Sequence, residues 1–335
     1  MRHGLTAMAH MEVFNPDFSD NGDKMTSTQP LSTNSLANTA MLASVTITTW
    51  SARKYDPKVT QEVIDQHNAK SDAGRWNKML IAKEALQKIT KAAGAARTAF
   101  YQLTLPWGQD GSRILTATGY NKLMEVIREK RQAFDDACEE FFPQYHDYVE
   151  QAKIDLNGTF RQEDYPSESE IRAKFRFAFH VSPLPVSNDF RVKMSDIERK
   201  AIEQQITDML TSSVQDAVKD VWQRMQTVVS HMANSLRDYK VHVGGVQKRN
   251  PKTGKTRNVS VENNFHSSVV NNIRELVDII PALNLTGDPD ISRFAEDIKG
   301  KLTRYDAETL KDNDGTRELV AKNAEDILKQ MSQFV

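Results

Sequence analysis

The chain carries one cysteine, Cys138, in 335 residues. No intrachain disulfide framework can form, and a thiol-rich metal site is disfavoured. It also lacks a net charge of either sign: 44 Lys and Arg stand against 45 Asp and Glu. No global field draws it toward nucleic acid or an anionic membrane, so any such contact must come from a local patch. No apolar run reaches the roughly 18 to 20 residues that span a bilayer, and the opening residues lack the succession of an export signal. These absences predict a soluble, unexported protein of a reducing cytoplasm. A Gly-x-Ser-x-Gly nucleophile elbow is missing too. The Gly254-Lys255-Thr256 triplet is not a phosphate loop, because Arg249 stands where that motif needs glycine and the residues that follow are strand-like.

What is present is a polar, helix-rich chain. With 27% charged and 39% hydrophobic residues, the composition is not that of a disordered protein, and elongated helices with solvated faces account for its polarity. The expected fold class is mainly α with minor β (α+β): long antiparallel helices, a few short strands and a projecting basic β-hairpin. Residues 1–40 are polar, Ser/Thr/Asn-rich and without apolar periodicity, and read as a flexible tail. Order is expected from residue 41, either as two parts, 41–165 and 166–335, or as one continuous domain.

The β-branched run Ser44–Trp50 reads as a strand. Asp56-Pro57 caps and opens a helix to about His67, since proline is tolerated where the first N–H has no helical partner. From Trp76 to Phe100 apolar residues recur every three or four positions, which predicts one amphipathic helix. Leu103–Gly108 breaks it, and Arg113–Leu115 is a short extended piece. A second long helix starts near Thr118, is kinked or ended by Pro143 and resumes to Leu156. Two such helices joined by a turn-rich link pack as an antiparallel pair.

Ser167 and Glu170 stand at capping-box spacing, and Phe175, Phe177, Phe179 and Val181 then alternate with Arg176, Ala178 and His180 as in a half-buried strand. Pro183 and Pro185 end it, and Phe190–Val192 reads as a further short strand. A second capping box, Ser195 with Glu198, opens a stretch of about 40 residues, roughly 60 Å if continuous, that either runs unbroken or breaks near Thr211–Ser213. Further helices are expected over 265–283, 291–302, 305–310 and 317–334.

Between these helices, Lys240 to Val261 has two Val-alternating arms around Asn250-Pro251 and Thr253-Gly254, the pattern of a hairpin. Lys248, Arg249, Lys252, Lys255 and Arg257 cluster at its tip with no acidic neighbour. Two readings stand. The cluster is a solvated loop that keeps an edge from associating, or it contacts nucleic-acid phosphates or an acidic partner, with salt-sensitive binding.

Other candidate sites are weaker. His146 with Glu139, Glu140, Asp147 and Glu150 lacks the Glu-x-x-His pairs of helical metal sites and reads as a solvated face. His180 is placed at the solvent side of its strand, Cys138 in the core, and Trp76 and Trp222 in helical apolar patterns and so in the core. No catalytic residue, metal or cofactor is assigned.

Several strings taken together carry a resemblance: Ser44-Val-Thr-Ile-Thr-Thr-Trp-Ser-Ala-Arg-Lys54, Leu103-Thr-Leu-Pro-Trp107, Asp164-Tyr-Pro166, Pro183-Leu-Pro185 with Asp189-Phe-Arg-Val192, and Ile279 to Pro289. The set resembles a family of uncharacterised proteins of tailed phages and conjugative or integrative elements, over about Met41 to Leu302. The resemblance implies a protein encoded by mobile DNA, at work in a bacterial host cytoplasm and often accompanied by a MoxR-type AAA+ ATPase and a von Willebrand A-type protein. It assigns no functional residues. The expected function is non-enzymatic: protein–protein interaction, with the ATPase as partner, no membrane and scope for self-association. The alternative is a nucleic-acid-binding protein that uses the hairpin near residues 248–257.

Overall fold

The computed structural model describes residues 33–108, 111–186, 195–239, 246–249, 256–259 and 265–334. In chain order these form α1 (Thr33–Thr39), β1 (Ala40–Thr48), β2 (Arg53–Tyr55), α2 (Pro57–His67), β3 (Asn77–Met79), α3 (Gln87–Gln102), β4 (Leu105–Pro106), β5 (Arg113–Thr116), α4 (Tyr120–Phe141), α5 (Tyr145–Leu156), α6 (Glu168–Ala173) and β6 (Arg176–Pro183). There follow α7 (Asp196–Arg237), β7 (Val246–Arg249), β8 (Thr256–Val259), α8 (Ser267–Leu283), α9 (Pro289–Leu302), α10 (Ala307–Asp312) and α11 (Asp314–Met331). The protein is mainly helical with a small antiparallel sheet, the fold class that the sequence predicts.

Strand β1 is the axis of that sheet, whose order is β4-β5-β1-β6. On one side Ala40 to Ala43 face Thr116 to Arg113 of β5; on the other Met41 to Thr48 face Pro183 to Arg176 of β6. Alternation of side chains along a strand then divides the apolar residues between two faces. Leu42 and Ile114 join a core with α7, α8, α9 and α11. Ala43, Ile47, Leu115 and Phe177 join another, with α3 and α4. Phe134 meets Phe177 at 5.9 Å between ring centroids, and Phe100 meets Phe179 edge-on at 6.4 Å. Phe100, Phe134 and Phe177 are buried, each contributing about 2–3 kcal/mol of transfer free energy, while Phe179 is partly buried. Because β6 pairs with β1 over eight residues, the sequence on either side of residue 165 shares one sheet.

Helices α3 and α4 carry Ile89, Ala93, Ala96 and Phe100 against Leu123, Ile127, Phe134 and Cys138. Lys88 at the start of α3 pairs with Glu140 at the end of α4, so the two run antiparallel. Pro143 falls in a 3-10 turn over Phe142–Gln144 that joins α4 to α5. Both capping boxes form: Ser167 with Glu170 opens α6, and Ser195 with Glu198 opens α7. Helix α7 runs 42 residues without a break at Thr211–Ser213. There Ser213 is buried and Thr211 donates back to the Thr207 carbonyl, so neither interrupts the ladder.

Three expectations need correction. Thr33–Thr39, read as tail, is helix α1, and Leu36 is buried in the core. The single helix expected over Trp76–Phe100 is instead strand β3, a 3-10 turn at Lys83–Leu86 and then α3. Strand β3 pairs with β2, Lys54 opposite Lys78, and Trp76 sits half-buried in the loop ahead of it rather than in a helical core. Trp222 is in the core as expected, stacked on Phe334 at 4.6 Å. The strand expected over Phe190–Val192 lies outside the described residues.

Candidate interaction surfaces

The predicted hairpin exists as paired backbone. Val246, Gln247, Lys248 and Arg249 face Val259, Asn258, Arg257 and Thr256 in antiparallel register. Lys248 and Arg257 are therefore direct cross-strand partners, with Arg249 next in line. Lys252 and Lys255 lie outside the described residues.

A second surface is the start of α7. Leu210 is the first fully buried residue of the helix, so Asp196 to Met209 carry no fully buried side chain, and of them Ile206 packs partly buried against the core. At 1.5 Å per residue this is about 20 Å of helix. The spacing that buries Ser213, Ala217, Val221, Met225, Val229, Met232 and Leu236 continues back through Met209, Ile206 and Ile202. Ile197 is 83% exposed and Met209 40% exposed. The polar residues between them are locally paired: Arg199 Nη2 is 2.7 Å from Asp196, and Glu198 is held in the cap by Ser195. That cap hydrogen bonding holds the Glu198 carboxyl below the usual range.

Third, α3, α7 and α8 border a groove of about 590 Å³. Leu276, Ile279 and Val228 line its apolar part, and Gln102, Gln223 and Asn272 its polar part. One edge is built by Arg224, which donates from Nη1 to the Gln102 carbonyl at 2.8 Å and from Nη2 to those of Tyr101 and Thr104 at 3.1 and 2.9 Å. The Tyr101 and Gln102 carbonyls end α3 and have no partner inside the helix, and Thr104 lies just past its cap. Asp220 holds the guanidinium at 2.7 Å. Arg113 reaches the same place, donating to Thr104 and lying 4.7 Å from the Tyr101 ring centroid. Burial and then the nearby Arg224 charge lower its pKa.

Away from these surfaces lies a buried ionic cluster. Lys78 Nζ donates to the Thr159 carbonyl at 2.9 Å and stands between Asp56 and Asp164. It fastens β3 to the start of α2 and to the turn before α6. Sequence reading missed it because Lys78 sits in a stretch whose apolar spacing imitates a helix.

The weaker candidates are all accounted for by ordinary packing. Glu139 pairs with Arg172, Glu140 with Lys88 and Glu150 with Lys153, while His146 is exposed beside Glu150. His180 is exposed. Cys138 is buried, and burial first, then Asp135 and Glu139, push its thiol up to about 12. Among the described residues no group of three or more His, Cys, Asp or Glu is placed to hold a metal ion. Among the same residues no helix is long and apolar enough to cross a membrane. No family model matches the chain, and neither does any curated protein or solved structure.

Proposed function

We propose that the protein acts by contact with another protein, without chemistry of its own, in a phage- or plasmid-borne system of a bacterial cytoplasm, as the companion of a MoxR-type AAA+ ATPase. The exposed start of α7 carries the interaction part of this reading: a helical face whose apolar stripe runs past the end of its own core is suited to a groove on a partner. The mobile-element setting and the class of ATPase rest on the sequence resemblance alone. The test is co-elution of the purified chain with the ATPase encoded beside it, using wild type and an Ile197→Asp/Met209→Asp variant. Both positions are exposed, so the variant keeps its fold. Co-elution lost in the variant is expected. No co-elution of wild type would sink the ATPase assignment, and co-elution that the variant leaves intact would move the interface off α7.

One observation favours a second reading, nucleic-acid binding by the hairpin: the register that sets Lys248 opposite Arg257. Binding to labelled single- and double-stranded DNA across a salt series tests it. Salt-sensitive retention that disappears when Lys248, Arg249, Lys252, Lys255 and Arg257 are neutralised supports this reading. Absence of binding at low salt removes it.

A further inference from the structure

Among the described residues three other than glycine have positive φ: Ala52, Asn68 and Asn157. Asn68, at φ 48° and ψ 37°, ends α2 in the left-handed region that asparagine adopts readily. Asn157, which ends α5, differs, with φ 42° but ψ −116°. These angles lie close to the first central position of a type II′ turn, about +60° and −120°, where glycine is the usual residue. The glycine here comes one residue late, as Gly158. Strain of this kind, held by the surrounding structure, gathers where it has a use. The substituents on Cα are a third of a turn apart, so in an L residue at this ψ the Cα–Cβ bond is nearly eclipsed with the bond from the carbonyl carbon to the Gly158 nitrogen. A planar five-membered ring through Cα, Cβ, Cγ and that nitrogen requires this eclipse. Folding thus supplies part of a near-attack arrangement. Asn157 and Gly158 are both exposed, so the carboxamide can turn toward the nitrogen and water can reach the product.

We propose that Asn157-Gly158 is a self-modification site, at which the Gly158 nitrogen attacks Asn157 Cγ and the turn changes its own chemistry with time. The new N–Cγ bond forms as Cγ–Nδ2 breaks, the Gly158 amide proton leaves with Nδ2 as ammonia, and a succinimide remains. Water then opens either ring carbonyl, leaving aspartate or isoaspartate at position 157. Water is the one reagent consumed. The same turn carries the Thr159 carbonyl that accepts from Lys78 Nζ at 2.9 Å. In the isoaspartate product the main chain runs through Cγ and is one carbon longer, and the Asn157 carbonyl that accepts from the Phe160 N–H becomes a free carboxylate. Thr159 is then displaced from Lys78. The site acts as a timer that loosens the buried ionic cluster as the protein ages.

The test incubates the full chain at neutral pH and follows the fragment that holds residue 157 by mass spectrometry, with a synthetic peptide of residues 151–163 alongside as the unfolded reference. The expected result is the mass gain of an amide-to-acid change, resolved into two isomeric products and several-fold faster in the folded chain than in the peptide. Gly158→Ala separates the reaction from the fold, because a Cβ there meets nothing and the backbone is not in the region that strains a side chain. It obstructs the nitrogen and should slow the reaction about tenfold, the change that a barrier ~1.4 kcal/mol higher produces. Its circular dichroism should be unchanged. Wild type aged until most of residue 157 is converted should unfold at lower urea than fresh protein, and Gly158→Ala kept for the same time should not. A residue 157 that stays amidated overturns the inference. So does a folded chain that reacts no faster than the peptide, or a converted protein with the urea midpoint of the fresh one.

Discussion

Lys78 Nζ stands 2.5 Å from Asp164 Oδ2 and 3.4 Å from Asp56 Oδ2, and all three side chains are withdrawn from water. One cation serves two carboxylates in a low-dielectric setting, so the cluster holds only while its lysine is present. Replacing Lys78 by methionine keeps the bulk and strands both anions; the expected loss is about 3–5 kcal/mol of unfolding free energy. Asp164→Asn, which leaves a neutral Lys78–Asp56 pair, should cost less. Urea titrations of both variants measure the difference, and equal losses would contradict this account of the charge.

Asp56 gives the cluster a pH dependence. Its carboxylate accepts from the backbone N–H groups of Val59 and Lys58 at the start of α2. The Val59 bond is the chief cause that holds its pKa below the ordinary value, burial opposes the shift and Lys78 adds to it. A depressed folded-state pKa means stability that is fully present above the unfolded value of about 3.9 and is lost as pH falls through the folded one. Urea midpoints should therefore be level between pH 7 and 5 and drop toward pH 3. Asp56→Asn should start lower at pH 7 and lose less on acidification.

Arg224 joins α7 to the last two residues of α3 and to Thr104 just beyond them, through three carbonyls. Lysine at this position retains the charge but not the fork that reaches all three at once. Arg224→Lys should cost about 1–3 kcal/mol, and amide exchange should speed in the last turn of α3. An unaltered exchange pattern would mean that the carbonyls are satisfied by water at no cost.

Ser195 caps the part of α7 that precedes its first fully buried residue, Leu210, and in which only Ile206 packs against the core. Ser195→Ala should therefore act locally, with about fivefold faster exchange over residues 196–209 from the loss of about 1 kcal/mol of capping. The global melting temperature should hardly move. A shift of several degrees would show that the start of α7 is packed against something in solution.

Local chemistry was legible in the sequence and long-range pairing was not. Ser167 with Glu170 and Ser195 with Glu198 announce their helices because a cap is written in four consecutive residues. Periodicity outlines the α7 stretch but leaves open a break near Thr211–Ser213, which the structure closes, and the turn-rich link between the two long helices announces the α3–α4 pair. Trp76, Met79 and Leu80 mislead, since spacings of three and four also arise when a short strand abuts a helix; the pairing of β3 with β2 then decides. Nothing near β1 in the chain indicates that it lies between β5 and β6. Of the five basic residues singled out, three fall on the paired strands β7 and β8, and their register, which sets two cations opposite each other, could not be read from spacing alone.

The position of β1 also sets a timetable for synthesis. Its residues leave the ribosome early, but Met41 must wait for Pro183 before its outer pairing can close. At about 5–20 residues per second that interval is roughly ten to thirty seconds. Through that interval an apolar strand is exposed on the nascent chain, and a holding chaperone has its opportunity there.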